Sequence, residues 1–300
     1  IQTFITLCTI RTGRDLSLRK AIYSTLYNTM KPLLYLFSLL LLCSCATQRQ
    51  LAIPNRPATA LSGSAFYQQA AGYTWQQRDS LAVREILSGN MPAFLKRFVP
   101  VPLTATTPDG NTISATVLVS PDYLSLGHDR DWARIPLTPM AAQQIADTLD
   151  CFLPTRKLVD AIYQHAAVKL EPVPLLALRD STPTFYHHHL MIEGQRRGSK
   201  GLVAGHKKDV VISSKVSRDP RPDRVAIYGW HRLNGKPIQP LYTGHINWYV
   251  DYSHGIRLVY RKVKVGGKWM DYTQVLRDPE LRQLLCDEEH CDFPAYPYSS

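Results

Sequence analysis

Apolar and polar residues change rhythm several times along the chain. Across 111–119, Ile113, Ala115, Val117 and Val119 alternate with polar or small neighbours, the period of a strand with one buried face. Pro108-Asp109-Gly110 supplies the turn that introduces it. Downstream the period becomes helical. Thr138 before Pro139 is an N-cap followed by proline at the first helical position, with Met140, Ile145 and Leu149 on one side. Thr155 caps a second helix carrying Leu158, Val159, Ile162 and Tyr163. Upstream, Asp79-Ser80 predicts a short helix over Leu81, Val83, Ile86 and Leu87, stopped at Gly89-Asn90. A further helical turn is expected from Asn90-Met91-Pro92 through Phe98.

Beyond residue 184 the apolar runs shorten and read as strands at 210–212, 225–228, 248–250, 256–265 and 269–275. His187-His188-His189 fits a strand of alternating exposure, and Asp278-Pro279-Glu280 opens a last helix through Leu285. The order is helices, one strand, helices, then many strands. That predicts an α+β fold, with N-terminal helices and a largely antiparallel, strand-rich C-terminal half, and not a βαβ alternation. No internal repeat and no compositional break divides 66–300, which reads as a single domain.

The first 45 residues follow other rules. Met30-Lys31-Pro32 precedes the ten-residue apolar run 33–42, a secretory signal by its short basic head and its core, which is too short for a membrane span. The run ends in Leu42-Cys43-Ser44-Cys45, which resembles a bacterial lipobox. That resemblance implies cleavage before Cys45, lipid modification of its thiol, and anchorage at a membrane in the cell envelope. Residues 1–29 then read as sequence translated from a start upstream of Met30, and 45–65, rich in Thr, Gln, Ala, Pro and Ser, as a lipidated tether.

Composition sharpens this picture. With 35 Lys+Arg against 24 Asp+Glu, the net charge is +11, and 45% of residues are hydrophobic. A disordered chain is excluded, and a basic surface suits an anionic polymer or headgroup layer. The basic pairs are scattered and no nucleic-acid motif is present, so no nucleic-acid partner is expected; peptidoglycan or a polysaccharide is. Cys286 and Cys291 bracket four residues and can close a small disulfide loop in an oxidising compartment. Cys151 sits in an apolar stretch and reads as a buried thiol.

Candidate chemistry concentrates in histidine. Seven of the ten histidines fall between 187 and 254. Four lie in short segments beside glycine or at strand ends: Gly205-His206-Lys207-Lys208-Asp209, Gly229-Trp230-His231, Gly244-His245, and Asp251-Tyr252-Ser253-His254-Gly255. Convergence of His206, His231, His245 and His254 in one cleft, with Asp209 or Asp251 orienting a ring, is expected of a catalytic site. His231, His245 and Asp251 are the candidate ligands of a catalytic zinc, with His206 or His254 as base. Their spacing resembles that of zinc peptidases that cut peptidoglycan cross-links, with Thr243 in the serine position and the Trp-His pair preceding the His–Asp pair. Metal-free acid–base work by the same histidines, with Lys208 or Arg257 stabilising an anion, is the rival.

The run from Gly205 to Leu258 is similar to exported bacterial proteins to which no activity attaches. The expected function is therefore an envelope-anchored hydrolase acting on cell-wall or polysaccharide material. The alternative is a non-catalytic lipoprotein that stacks a glycan on Trp132, Trp230, Trp248 and Tyr249, or holds a partner.

Overall fold

The computed structural model describes residues 49–107 and 109–298. The signal segment, the lipobox with Cys45 and the upstream stretch lie outside the described residues. Part of the expected tether is described, and it follows the domain. Gln50 bridges Arg97, Leu51 is buried, and Arg56 donates to Asn90 Oδ1 at 2.7 Å and to the carbonyl of Ala60 at 2.6 Å.

Helix α1 (Gly63–Gln69) and helix α2 (Trp75–Leu87) come first. Helix α2 begins one turn before the Asp79 expected from the sequence, because Thr74 and Gln77 form a reciprocal capping box. Asp79 does different work. It accepts from the amide and hydroxyl of Thr138, at 3.0 and 2.7 Å, and so ties two helix starts together. The turn expected through Phe98 is a short 3₁₀ helix, Ala93–Lys96.

Strands β1 (Val99–Thr106) and β2 (Thr112–Val119) form an antiparallel hairpin. A second hairpin, β3 (Ser125–His128) and β4 (Asp131–Arg134), occupies the polar stretch around Asp129. Helix α3 (Pro139–Thr148), strand β5 (Cys151–Phe152) and helix α4 (Arg156–His165) follow. Thr138 and Thr155 cap the two helices through their side chains, as their sequence positions predict.

After β6 (Val168–Lys169) comes helix α5 (Thr182–Arg196), where a strand was expected for His187-His188-His189. Pro183 in the first turn favours the helix. Its buried residues Phe185, His188, His189, Ile192 and Arg196 recur at helical, not alternating, spacing.

The remaining elements are β7 (Val203–Ala204), β8 (Lys208–Val211), the single turn α6 (Ser214–Ser217), β9 (Arg224–His231), β10 (Pro237–Ile246), β11 (His254–Gly255), β12 (Val259–Tyr260), β13 (Lys262–Val265), β14 (Lys268–Asp271) and α7 (Tyr272–Arg277). Three sequence expectations change here. The strand expected at 248–250 is a turn and irregular segment after β10, where the Tyr249 amide donates to the Ile246 carbonyl at 3.0 Å. The run 256–265 breaks into two strands, and 269–275 turns helical at Asp271, which caps α7 with Gln274. The expected last helix is reduced to a 3₁₀ turn, Arg282–Leu284.

The fold is α+β. A six-stranded sheet runs β14-β13-β2-β12-β5, with β1 also on β2. A four-stranded sheet runs β10-β9-β8-β11, antiparallel except for the β8–β11 pair. Cys286 and Cys291 are joined as a disulfide, and Cys151 is buried with burial pushing its thiol well up. Arg156 and Lys157, at the start of α4, hold this C-terminal segment: Arg156 pairs with Asp287 at 2.9 Å, and Lys157 donates to the carbonyl of Gln283.

Candidate functional site

The glycine-flanked segments meet as backbone. His254 lies beside Lys208 and Gly255 beside Asp209, while Lys208 and Asp209 face Gly229 and Tyr228 on the other side. Glycine is required for this approach. A Cβ on Gly255 would stand 2.6 Å from the ring of Tyr123, and one on Gly205, whose φ is +102°, 2.6 Å from the carbonyl oxygen of Leu170. Next to Gly229, Trp230 itself adopts a left-handed φ of 58°, a strained state for a bulky residue. This bend leaves the Trp230 ring 4.9 Å from Lys208 Nζ.

The histidine side chains then part company. His245 and His254 stay together, their rings 6.0 Å apart, with Tyr249 against both at 4.7 and 6.2 Å. His254 Nε2 is 4.0 Å from Asp251 Oδ1. Asp251 accepts from the Ser253 amide at 2.8 Å, from the Ser253 hydroxyl, and from Arg179 Nη2 at 2.8 Å. Burial drives His254 below its ordinary value, with the Lys208 ammonium adding to the effect. Burial opposes ionisation of Asp251, but His254, Ser253 and Lys208 together hold it below the usual carboxylate range. At neutral pH the pair is a neutral imidazole beside a carboxylate. Ser253 spends its hydroxyl on Asp251, so no nucleophile–base pair forms with the adjacent His254.

His231 looks elsewhere. Its Nε2 lies 2.9 Å from Asp160 Oδ1 on α4, and its ring stacks on Tyr163 at 4.5 Å. His206 is fully buried, edge-on to Tyr123 at 5.0 Å, with Nε2 3.6 Å from Asp122 Oδ1. Burial first, and then Arg134 and Lys207, keep it neutral. Asp209 accepts from the Tyr123 hydroxyl at 2.7 Å, and burial pushes its carboxyl up to about 6.

The proposed zinc ligands are not assembled. His231 pairs with Pro237 and His245 with Val225, at opposite ends of the β9–β10 ladder. Six strand positions separate those two pairs, about 20 Å at the usual rise per residue. Among the described residues no group of three or more His, Cys, Asp or Glu side chains could hold a metal ion.

Several buried polar contacts are made by residues to which the sequence assigns no role. Arg134 is bidentate to the buried Asp122, at 3.0 and 2.6 Å, and also reaches Glu193 at 2.8 Å. Lys207 is buried between His188 Nδ1, at 3.2 Å, and the Tyr252 carbonyl, and burial brings its ammonium down to about 7. Such a network is costly to break and fixes the orientation of the segments around it. Asp160 and Arg179 carry no local signal. Each acquires its role by meeting a residue at least 70 positions away.

Two clefts flank this region. The first, about 520 Å³, is lined by Tyr73, Trp75, Asp180, Trp248 and Tyr249. Tyr73 and Trp248 are 37% and 43% exposed, so their rings are open to solvent. Through Tyr249 this cleft adjoins His245 and His254. The other two tryptophans named from sequence do not join it: Trp230 is buried, and Trp132 packs against Phe94 and His189. The second cleft, about 460 Å³, holds Asp160, Tyr228 and His231.

No family model, curated protein or solved structure matches this chain.

Proposed function

We propose that the protein is an envelope-anchored lipoprotein that binds a glycan, with the sugar seated in the cleft of Tyr73, Trp75, Trp248 and Tyr249. The observation that carries this reading is the grouping of four aromatic side chains from distant parts of the chain around one open cleft. Aromatic faces stack against the C–H faces of sugar rings, and the Asp180 carboxylate on the same wall is an acceptor for hydroxyls. The lipobox ending in Cys45, the basic net charge and the Cys286–Cys291 disulfide support export and contact with anionic wall polymer.

Titration of intrinsic tryptophan fluorescence with N-acetylglucosamine oligomers and with soluble peptidoglycan strands tests this reading. Saturable binding is expected, weakened at least about tenfold by Trp248→Ala or Tyr249→Ala, since each removes a stacking face. Binding unchanged in both variants would remove the cleft from consideration.

A catalytic reading has one specific observation in its favour. The neutral His254 and the half-buried His245 lie against Tyr249 of the same cleft, and the ionised Asp251 is 4.0 Å from His254. A hydrolase acting on wall polysaccharide would use them for proton transfer. Zymography on peptidoglycan, with clearing abolished by His254→Ala and by Asp251→Asn but retained in wild type, would establish that reading over simple binding.

A further inference from the structure

The second cleft has a built-in charge pattern that the glycan reading does not use. Asp160, on α4, is 36% exposed and faces it. Its Oδ1 accepts from His231 Nε2 and from the Tyr228 hydroxyl, both at 2.9 Å. Burial, followed by the charge on Asp160, raises Tyr228 well above an ordinary phenol, so it remains a donor. The two donors fix the carboxylate in place and leave its remaining lone pairs for a ligand. Around it stand aromatic faces: Tyr163 stacked on His231, and Tyr228 edge-on to His231 at 5.9 Å. A carboxylate framed by aromatic rings is a receptor for an ammonium group.

The same cleft also carries a cation and amide chemistry. Lys169 lines it, with Nζ 4.8 Å from the centre of the Tyr163 ring, and Gln164 and Asn234 add side-chain amides. Its rim is held in shape before any ligand arrives. Tyr163 donates to the Arg232 carbonyl at 2.6 Å, Glu171 accepts from the Leu233 amide at 3.1 Å, and Gly235 donates to the Arg232 carbonyl at 2.8 Å. A preformed rim lowers the ordering cost of binding.

We infer that this cleft binds a small zwitterion, an amino acid or short peptide, with its ammonium on Asp160 and its carboxylate on Lys169. A simple anion would meet the Asp160 carboxylate, and a simple cation would meet Lys169. A ligand bearing both charges satisfies both walls, and about 460 Å³ suits one of dipeptide size. The site is separate from the aromatic cleft, so either can exist without the other.

Isothermal titration calorimetry of the full chain with alanyl-alanine, its N-acetylated form and its C-terminal amide tests the inference. The free dipeptide should bind. N-acetylation, or Asp160→Asn in the protein, should weaken it at least about tenfold, the cost of losing a charge-assisted hydrogen bond. Amidation, or Lys169→Met at the exposed rim, should weaken it severalfold. The ligand-side changes need no variant, so a misfolded Asp160→Asn protein would not blunt the test. No heat with the free dipeptide at millimolar concentration, or equal affinity for the acetylated form, would overturn the assignment.

Discussion

Asp209 makes the effect of burial concrete at the scale of one residue. It accepts one hydrogen bond from Tyr123, and Arg257 lies within Coulombic range, yet desolvation dominates and lifts its carboxyl to about 6. A carboxyl raised in the fold contributes stability that is present below the unfolded value near 3.8 and is lost as pH rises through about 6. Above that window the charged form costs about 3 kcal/mol, because each tenfold change in acidity is worth about 1.4 kcal/mol. Asp209→Asn keeps the acceptor for Tyr123 and removes the charge. It should raise stability in urea at pH 7.5 by up to about 3 kcal/mol, and by much less at pH 4. An unchanged midpoint at pH 7.5 would mean that Asp209 ionises without penalty. The burial was not legible in the sequence: Lys207-Lys208 reads locally as a solvated basic turn and Asp209 as a partner for a histidine ring, yet all three residues are buried and Asp209 accepts from Tyr123.

At the scale of elements, the end of the β8–β9–β11 sheet depends on backbone contacts that a side chain would block. Gly205 precedes β8 with φ of +102°, and a Cβ there would lie 2.6 Å from the Leu170 carbonyl and 3.2 Å from that of His231. Gly205→Ala should therefore cost about 2 kcal/mol, combining left-handed strain with a backbone clash. Gly72→Ala, in open space and with no positive φ, should stay within about 0.5 kcal/mol. Urea midpoints of the two variants compare them directly; equal effects would show that the approach at Gly205 is not tight. Beside a glycine the sequence did mark the bend. It did not mark that side chains beyond the bend leave on different faces, which is why His231 and His254 serve different clefts.

Across the whole molecule, histidine burial sets the acid response. His188 and His206 are held far below their ordinary value by desolvation, His189 is lowered to about 3, and His254 is lowered as well. Each is neutral in the fold and takes up a proton on unfolding below the unfolded value of about 6.5. Stability from these groups is present above that value and is lost as pH falls towards the folded values. Asp209 opposes them with about one proton released at pH 5. Unfolding in urea should thus take up about three protons at pH 5, measured by pH-stat, and about one at pH 8, where Lys207 titrates instead. Uptake near zero at pH 5 would contradict the buried, neutral histidines.

Local chemistry alone determined the helix starts at Thr138-Pro139 and Thr155, the strand over Thr112–Val119, the buried Cys151 and the pairing of Cys286 with Cys291. Each rests on interactions within a few residues or on an unambiguous apolar period, so one stretch of chain suffices. The helix through His187-His188-His189 has a local signal in Pro183, but three consecutive histidines have no strong preference of their own, and packing against α1 and β4 settles their form. The clefts belong to tertiary structure altogether. Asp160 meets His231 across 71 residues, Arg179 meets Asp251 across 72, and Tyr73 and Trp75 share a wall with Trp248 and Tyr249. A side chain's face is set by strand register and by the elements packed over it. Residues far apart in sequence carry no local trace of the neighbour that gives them chemistry.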